Sequence, residues 1–283
     1  MIAFYGMGLL GSNFVRALLK RGEKVRVWNR TAERAHALTP DGAVAFDDPV
    51  EAARGATRLH LTLSDDAAVD DVLERLRPGL SPGVIVVDHT TTSPTGAQAR
   101  AARWAERNIA FQHAPVFMGP QNALESTGIM LASGEQSRFD LLSPHLSKMT
   151  GKLVYLGSEA DRAAKFKLLG NSFLLFITAG LADFFALATA NGITSSEASE
   201  LFKTFNPGAS LDMRVARILA KNFDAPSWEL VMARKDARLM MEAATSANVP
   251  LQFIPHIADA MDRFIAAGHA KEDWTIIARD GLS

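Results

Sequence analysis

Lys167 and Asn171 stand four residues apart in a stretch that is otherwise almost wholly apolar: Phe166, Leu168, Leu169, Phe173, Leu174, Leu175, Phe176 and Ile177. At helical spacing the two polar side chains project from one face. A helix that is apolar all round is expected to be buried. A buried ammonium is costly unless it is paired or has chemical work to do. The chain also opens on Gly6-Met7-Gly8-Leu9-Leu10-Gly11, a G-x-G-x-x-G between a predicted strand and a predicted helix. There the first glycine permits a tight turn, the second lets backbone approach a pyrophosphate, and the third lets helix pack close to strand. The helix N-terminus then offers amide donors and partial positive charge to phosphate. A buried amine downstream of a dinucleotide site points to a proton donor beside a hydride donor.

The second predicted strand ends Val27-Trp28-Asn29-Arg30-Thr31. A site for the unphosphorylated cofactor would place Asp or Glu here, to bond the ribose hydroxyls. Arg30 can instead pair bidentately with a 2′-phosphate, with Asn29 and Thr31 as further donors. NADP(H) is therefore the expected cofactor. The plainer alternative leaves Arg30 solvated and has Thr31 cap the next helix.

The elements that must position these groups change character along the chain. Apolar and polar runs predict strands at 2–5, 24–28, 43–45, 58–63, 84–88, 109–116, 128–132 and 153–156, with helices between most of them. Strand–helix alternation with compact apolar strands argues for a doubly wound parallel sheet. From about Asp161 helices dominate: one long helix to about Asn191-Gly192, then 195–205, 211–221, 228–247, 251–268 and a short 273–280. The expected fold is α/β, an N-terminal Rossmann domain over 1–160 joined by a long interdomain helix to an all-α domain over 161–283.

Bulk properties exclude several classes. Net charge is −1 over 283 residues, so no basic field draws nucleic acid or anionic membrane. There is no cysteine, hence no disulfide, thiol nucleophile or zinc–cysteine site, and no metal is expected. The charge-free run from Leu168 to Ala182 is fifteen residues, short of a membrane span, and reads as a buried core helix. No signal peptide is visible, so a soluble, cytoplasmic protein is expected.

Four motifs together resemble the β-hydroxyacid dehydrogenase family, which includes 3-hydroxyisobutyrate dehydrogenases and glyoxylate/succinic semialdehyde reductases. The first is the glycine fingerprint with its Trp-Asn-Arg-Thr strand end. The second is Asp88-His89-Thr90-Thr91-Thr92-Ser93-Pro94, similar to the family's Asp-x-Ser-Thr-x-x-Pro. By resemblance, Thr91 reaches the nicotinamide ribose; by itself the stretch reads as a capped helix start. The third is the lysine–asparagine pair, which implies Lys167 as the catalytic group. Lys165 lacks the partner, since Leu169 lies four places on. The family's glycines before the lysine are replaced here by Asp161, Ala163 and their neighbours. The fourth is Trp228, Met232 and Lys235-Asp236, which implies Lys235 beside the cofactor. Leu63, where the fourth strand ends, is taken as a further cofactor neighbour.

The substrate loop departs from that pattern. Where the family has Asp-Ala-Pro-Val-Ser-Gly-Gly, this chain has His113-Ala114-Pro115-Val116-Phe117-Met118-Gly119. Phe117 and Met118 remove a hydroxyl donor and crowd the backbone amides, so a larger or more apolar carbonyl compound is favoured. Gly119 and Asn122 remain candidate substrate contacts, Asn122 either as a donor to an anion or bonded within its own loop. His89 and His113 are given no catalytic role.

The implied reaction is reversible hydride transfer between NADPH and a small aldehyde, ketone or hydroxy acid. Lys167 serves as general acid or base, and Asn171 orients substrate or lysine. Two rivals stay open: an imine reductase, with a more apolar pocket, and a non-catalytic NADP-binding interaction protein. A homodimer or dimer of dimers through helices is expected.

Overall fold

The computed structural model describes residues 1–282. They divide into two compact units, the first Met1–Ser172 and the second beginning at Phe173.

The first unit begins with β1 (Ile2–Tyr5), α1 (Leu9–Lys20), β2 (Val25–Trp28), α2 (Ala32–His36), β3 (Val44–Phe46), α3 (Pro49–Ala53), β4 (Arg58–Leu61), α4 (Asp66–Leu76), β5 (Ile85–Asp88), α5 (Pro94–Glu106) and β6 (Ala110–His113). The six strands form one sheet in the order β3-β2-β1-β4-β5-β6, parallel throughout. That is the doubly wound order, with its switch point between β1 and β4. Side-chain alternation assigns each face its core. Ile2, Phe4, Val25 and Val27 join one cluster with Phe14 and Leu18 of α1. Ala3, Tyr5, Leu59 and Leu61 join the other with Leu73 and Trp104.

A three-stranded sheet completes this unit. Its order is β7 (Val116–Phe117), β8 (Ile129–Ala132) and β9 (Lys152–Tyr155), with α6 (Pro120–Glu125) and α7 (Gln136–Leu146) as connections. The strand expected to run continuously over 109–116 is broken. Pro115 has no N–H to continue the ladder. The Ala114 amide bonds Asp88 O at 2.7 Å, and Pro115 O accepts from the Leu131 amide at 2.9 Å. The chain thus leaves the first sheet at His113 and joins the second at Val116, which carries Phe117 and Met118 to the mouth of the switch point.

α8 (Arg162–Ala190) belongs to both units. Its first turns are tied to the first unit, where the Ala163 amide donates to Ser133 Oγ at 2.8 Å. The division between the compact units falls inside α8, between Ser172 and Phe173, while the helix itself starts at Arg162. The second unit continues with α9 (Ser195–Thr204), α10 (Leu211–Leu219), α11 (Leu230–Ser246) and α12 (Ile254–Phe264). Two helices expected to be longer are trimmed. Glu229 is extended in an isolated bridge to Asp273, which delays α11. Gly268, at φ 96°, ends the helical path after α12. Buried Asp183 of α8 caps α12, its carboxylate accepting from the amides of Gln252, Phe253 and Ile254 at 2.7–2.8 Å.

Contrary to the expectation of a buried core helix, much of α8 is exposed in this chain. Leu169 is 65%, Leu175 72% and Phe176 71% exposed. An 18-residue window with mean hydropathy 1.9 is only 11% buried, so length and composition would also allow this helix to cross a membrane. A helix apolar on all sides needs neighbours on all sides, and one chain supplies too few.

Candidate active site

The glycine turn shows why its residue types are needed. Gly6 adopts φ +95°, and a Cβ there would fall 2.1 Å from Thr62 O. A Cβ on Gly11 would fall 1.9 Å from Gly6 O and 2.3 Å from Thr62 Oγ1. Gly8, between them, has nothing within 4 Å of its absent Cβ. The outer glycines hold strand and helix together and the middle one keeps open space for a ligand. Gly8 is also the N-cap of α1, with no side-chain cap and no acid in the first turn. The free amides there are suited to a phosphate.

Two cavities flank this turn. One, of 330 Å³, is lined by Gly6, Gly8, Asn29, Arg30, Thr31, Arg34, Thr62 and Leu63 among others. The second, of 360 Å³, is lined by Gly8, Leu9, Leu10, Gly11, Leu63, His89, Thr91, Val116, Met118 and Lys167 among others. They share Gly8, Thr62, Leu63 and Ser64, so they form one trough over the ends of β1 and β4.

In the first cavity Asn29 works within the protein. Its Oδ1 accepts from the Met7 amide at 2.9 Å and its Nδ2 donates to Thr31 O at 2.8 Å, locking the glycine turn to the end of β2. Thr31 is the N-cap of α2 but makes no capping bond, so its hydroxyl stays free. Arg30 and Arg34 are exposed and make no ion pair among the described residues. The sequence reading missed Arg34. Its signal was spacing, since a helix starting at Ala32 turns residue 34 back toward residue 30.

The Asp88–Pro94 turn sorts its three threonines. Asp88 Oδ1 accepts from the Thr90 amide at 2.9 Å, and Thr90 Oγ1 accepts from the Leu63 amide at 2.9 Å. Thr92 is buried. Thr91 alone is exposed, and it borders the second cavity. Ser93 caps α5 through the Gly96 amide.

Lys167 is 8% exposed and lines the second cavity. Its Nζ donates to Asn171 Oδ1 at 2.9 Å and lies 4.2 Å from the centre of the Phe117 ring. Burial lowers its pKa from the ordinary lysine value, and no opposing charge offsets this. Lys165 is half exposed and paired with Asp161 at 2.8 Å, turned to other work.

In the altered loop, Val116 and Met118 line the cavity while Phe117 supports Lys167. Gly119 and Asn122 are engaged with each other. The Gly119 amide donates to Asn122 Oδ1 at 2.9 Å, and Asn122 Nδ2 donates to Thr127 Oγ1 at 3.0 Å. Of the two readings of Asn122, the structure has it bonded within its own loop. Lys235 lies on α11 of the second unit, with Nζ 2.7 Å from Asp236 Oδ1.

A polar chain unforeseen from sequence runs beneath the cavity on one face of the sheet. Arg58 Nε donates to His60 Nε2 at 2.8 Å, His60 Nδ1 lies 2.9 Å from His89 Nε2, and His89 Nδ1 lies 2.7 Å from Ala114 O. A guanidinium can only donate, so each imidazole is neutral with its proton on Nδ1. Burial pushes His89 down to about 4, in keeping with that assignment. The chain anchors the Ala114 carbonyl where the backbone changes sheets. His113, buried beside Asp88 with Nδ1 to Oδ2 at 3.6 Å, likewise stays inside the fold.

A doubly wound sheet with a glycine cradle at its switch point defines a dinucleotide-binding domain. Residues 1–157 match the NAD binding domain of 6-phosphogluconate dehydrogenase, and residues 159–280 match the NADPH-dependent reductive aminase-like C-terminal domain. The chain belongs to the family defined by the NAD binding domain of 6-phosphogluconate dehydrogenase. It is 25% identical to 3-sulfolactaldehyde reductase of Escherichia coli (strain K12), over 98% of this chain and 94% of that one. It is 29% identical to the cytokine-like nuclear factor N-PAC of Xenopus tropicalis, covering 98% of this chain but 52% of the relative. The chain thus spans about half the length of that relative. Its fold is shared with an imine reductase from Myxococcus stipitatus solved with NADP+, at TM-score 0.92 and 19% identity over 99% of each chain.

Proposed function

We propose that this chain is an NADPH-dependent reductase of a small aldehyde or ketone, or in reverse an oxidant of the matching hydroxy compound, with Lys167 as the acid–base group. The observation that carries the reading is the Lys167–Asn171 pair, buried in the wall of a cavity that begins at the dinucleotide turn. When bound there, the nicotinamide supplies the hydride. The uncapped amides at Gly8 would hold its phosphates, and Arg30 with Arg34 would receive a 2′-phosphate. Thr91 would meet the ribose.

In reduction the Lys167 ammonium donates a proton to the carbonyl oxygen; in oxidation the neutral amine takes the hydroxyl proton. Asn171 Oδ1 holds the amine in one orientation for both. Because burial lowers the lysine pKa, the acid form is lost at lower pH than for an exposed lysine. Reductive turnover is therefore expected to fall, and oxidative turnover to rise, as pH climbs through that lowered value. Lys167→Ala should lower turnover about 10²- to 10⁴-fold while leaving NADPH binding intact. Near-normal turnover in that variant refutes the assignment.

A second reading, an imine reductase, is favoured by the reductive aminase-like match over 159–280. Against it stands the ammonium, which repels an iminium cation in a poorly screened cavity. A binding-only role, as an interaction protein, would show NADPH binding without any turnover. Cyclic imines assayed beside semialdehydes separate all three.

The setting we propose is a cytoplasmic homodimer, in which a second copy covers the exposed apolar residues of α8. An apolar groove of 550 Å³ in the second unit, lined by Phe176, Phe184, Leu187, Phe253 and Ile257 among others, adds to that face. A monomeric sedimentation mass at micromolar concentration would count against the dimer.

A further inference from the structure

Phe117 is placed by α8 as firmly as by its own strand. A Cβ on Gly170 would fall 2.3 Å from Phe117 Cζ and 2.6 Å from Cε1, so the ring rests on bare helix backbone. Glycine weakens a helix interior relative to alanine, which makes this contact the steric reason for its presence. Three residues earlier on the same helix, Lys167 Nζ stands 4.2 Å from the centre of that ring. An ammonium has three N–H donors. Asn171 Oδ1 accepts one, and the ring attracts the charge without offering a lone pair.

We infer that Phe117 is a positioning residue for Lys167: seated on Gly170, its ring supports one side of the ammonium and leaves an N–H directed at the cavity for a substrate oxygen. The inference rests on the reading of Lys167 as the proton-transfer group. No other group of the first unit competes for this task. His89, from the β5–α5 turn, lines the same cavity, but both its ring nitrogens are engaged. Lys165, on the same helix, is tied to Asp161 and Glu159. Asp88 and His113 face each other within the sheet.

The test separates the aromatic face from mere bulk. Phe117→Leu keeps the site apolar and removes the π face, and Phe117→Met does the same at closer to the parent length. Gly170→Ala leaves the ring in the sequence but drives it off its seat. The readout is the titration midpoint of the Lys167 side chain in ¹³C-lysine-labelled full-length protein, its resonance assigned by its loss in Lys167→Ala. Phe117→Leu and Gly170→Ala should each lower that midpoint, with a change in ionisation constant of about three- to thirty-fold. Phe117→Met should follow Phe117→Leu, since it too lacks a π face. An unchanged or raised midpoint in Phe117→Leu or Gly170→Ala, or a Met variant that matches the parent protein, overturns the inference. Because the titration needs no substrate, it stands apart from the assay of the proposed reaction. A shifted midpoint in a protein that oxidises NADPH with no carbonyl compound would sink the functional reading alone. Where turnover is found, Phe117→Leu should lower kcat and leave the NADPH Kd unchanged.

Discussion

At the glycine turn the ligand surface is backbone; at 116–118, across the same trough, it is side chain. The first is set by close approach. Gly6 and Gly11 fit only because they lack a Cβ, and the α1 amides point wherever the helix points. The second is set by what the chain carries there: Val116 and Met118 toward the cavity, and Phe117 under the lysine. Backbone sites recognise a common group, such as a phosphate, and change little with sequence. Side-chain sites can be rewritten one residue at a time on the same frame. That division fits a chain that keeps the expected glycine cradle while its 116–118 loop departs from the β-hydroxyacid dehydrogenase pattern it otherwise resembles.

Side chains do enter at one edge of the cradle, where Arg30 and Arg34 line the first cavity. Arg30→Ala should raise the NADPH Kd about 10- to 100-fold, the scale of a lost charge-assisted hydrogen bond, and leave the NADH Kd nearly unchanged. Arg34→Ala should act in the same direction, and the double variant by less than the product, since both would serve one phosphate. Equal weakening of NADPH and NADH would instead place the two arginines outside the 2′-phosphate site.

Much of the first unit was legible because its signals are local. Alternation of strands and helices gave the sheet, and the glycine spacing gave the switch point. Lys167 was distinguished from Lys165 by the asparagine four places on, and the structure adds the physical contrast of one buried amine and one ion-paired amine. What escaped the sequence was long-range. The Arg58–His60–His89 chain needs strand register to be seen, since residues 60 and 89 meet only across the sheet. The seat of Phe117 on Gly170 joins positions 53 residues apart, and nothing near either one announces it. Exposure of α8 was misjudged for a different reason: composition says that apolar surface will be covered, not that its own chain will cover it.

The smallest expected effect concerns Asn122, where two roles predict opposite patterns. Its Oδ1 holds the Gly119 amide and its Nδ2 holds Thr127 Oγ1, so both polar groups are used within the loop. If that is its whole task, Asn122→Ala should cost about 1 kcal/mol of stability, the usual scale of a lost helix N-terminal cap, and leave KM for an uncharged carbonyl substrate within about two-fold. Asn122→Asp keeps the acceptor for the Gly119 amide and should recover most of the stability. If Asn122 instead turned to an anionic substrate, the aspartate would repel it, and KM would rise sharply with stability restored. The two variants thus move stability and KM in different combinations under the two roles. A raised KM in the stable Asp variant would mean that the side-chain wall of the trough contains an anion site, and that its apolar character is less complete than Val116, Phe117 and Met118 make it.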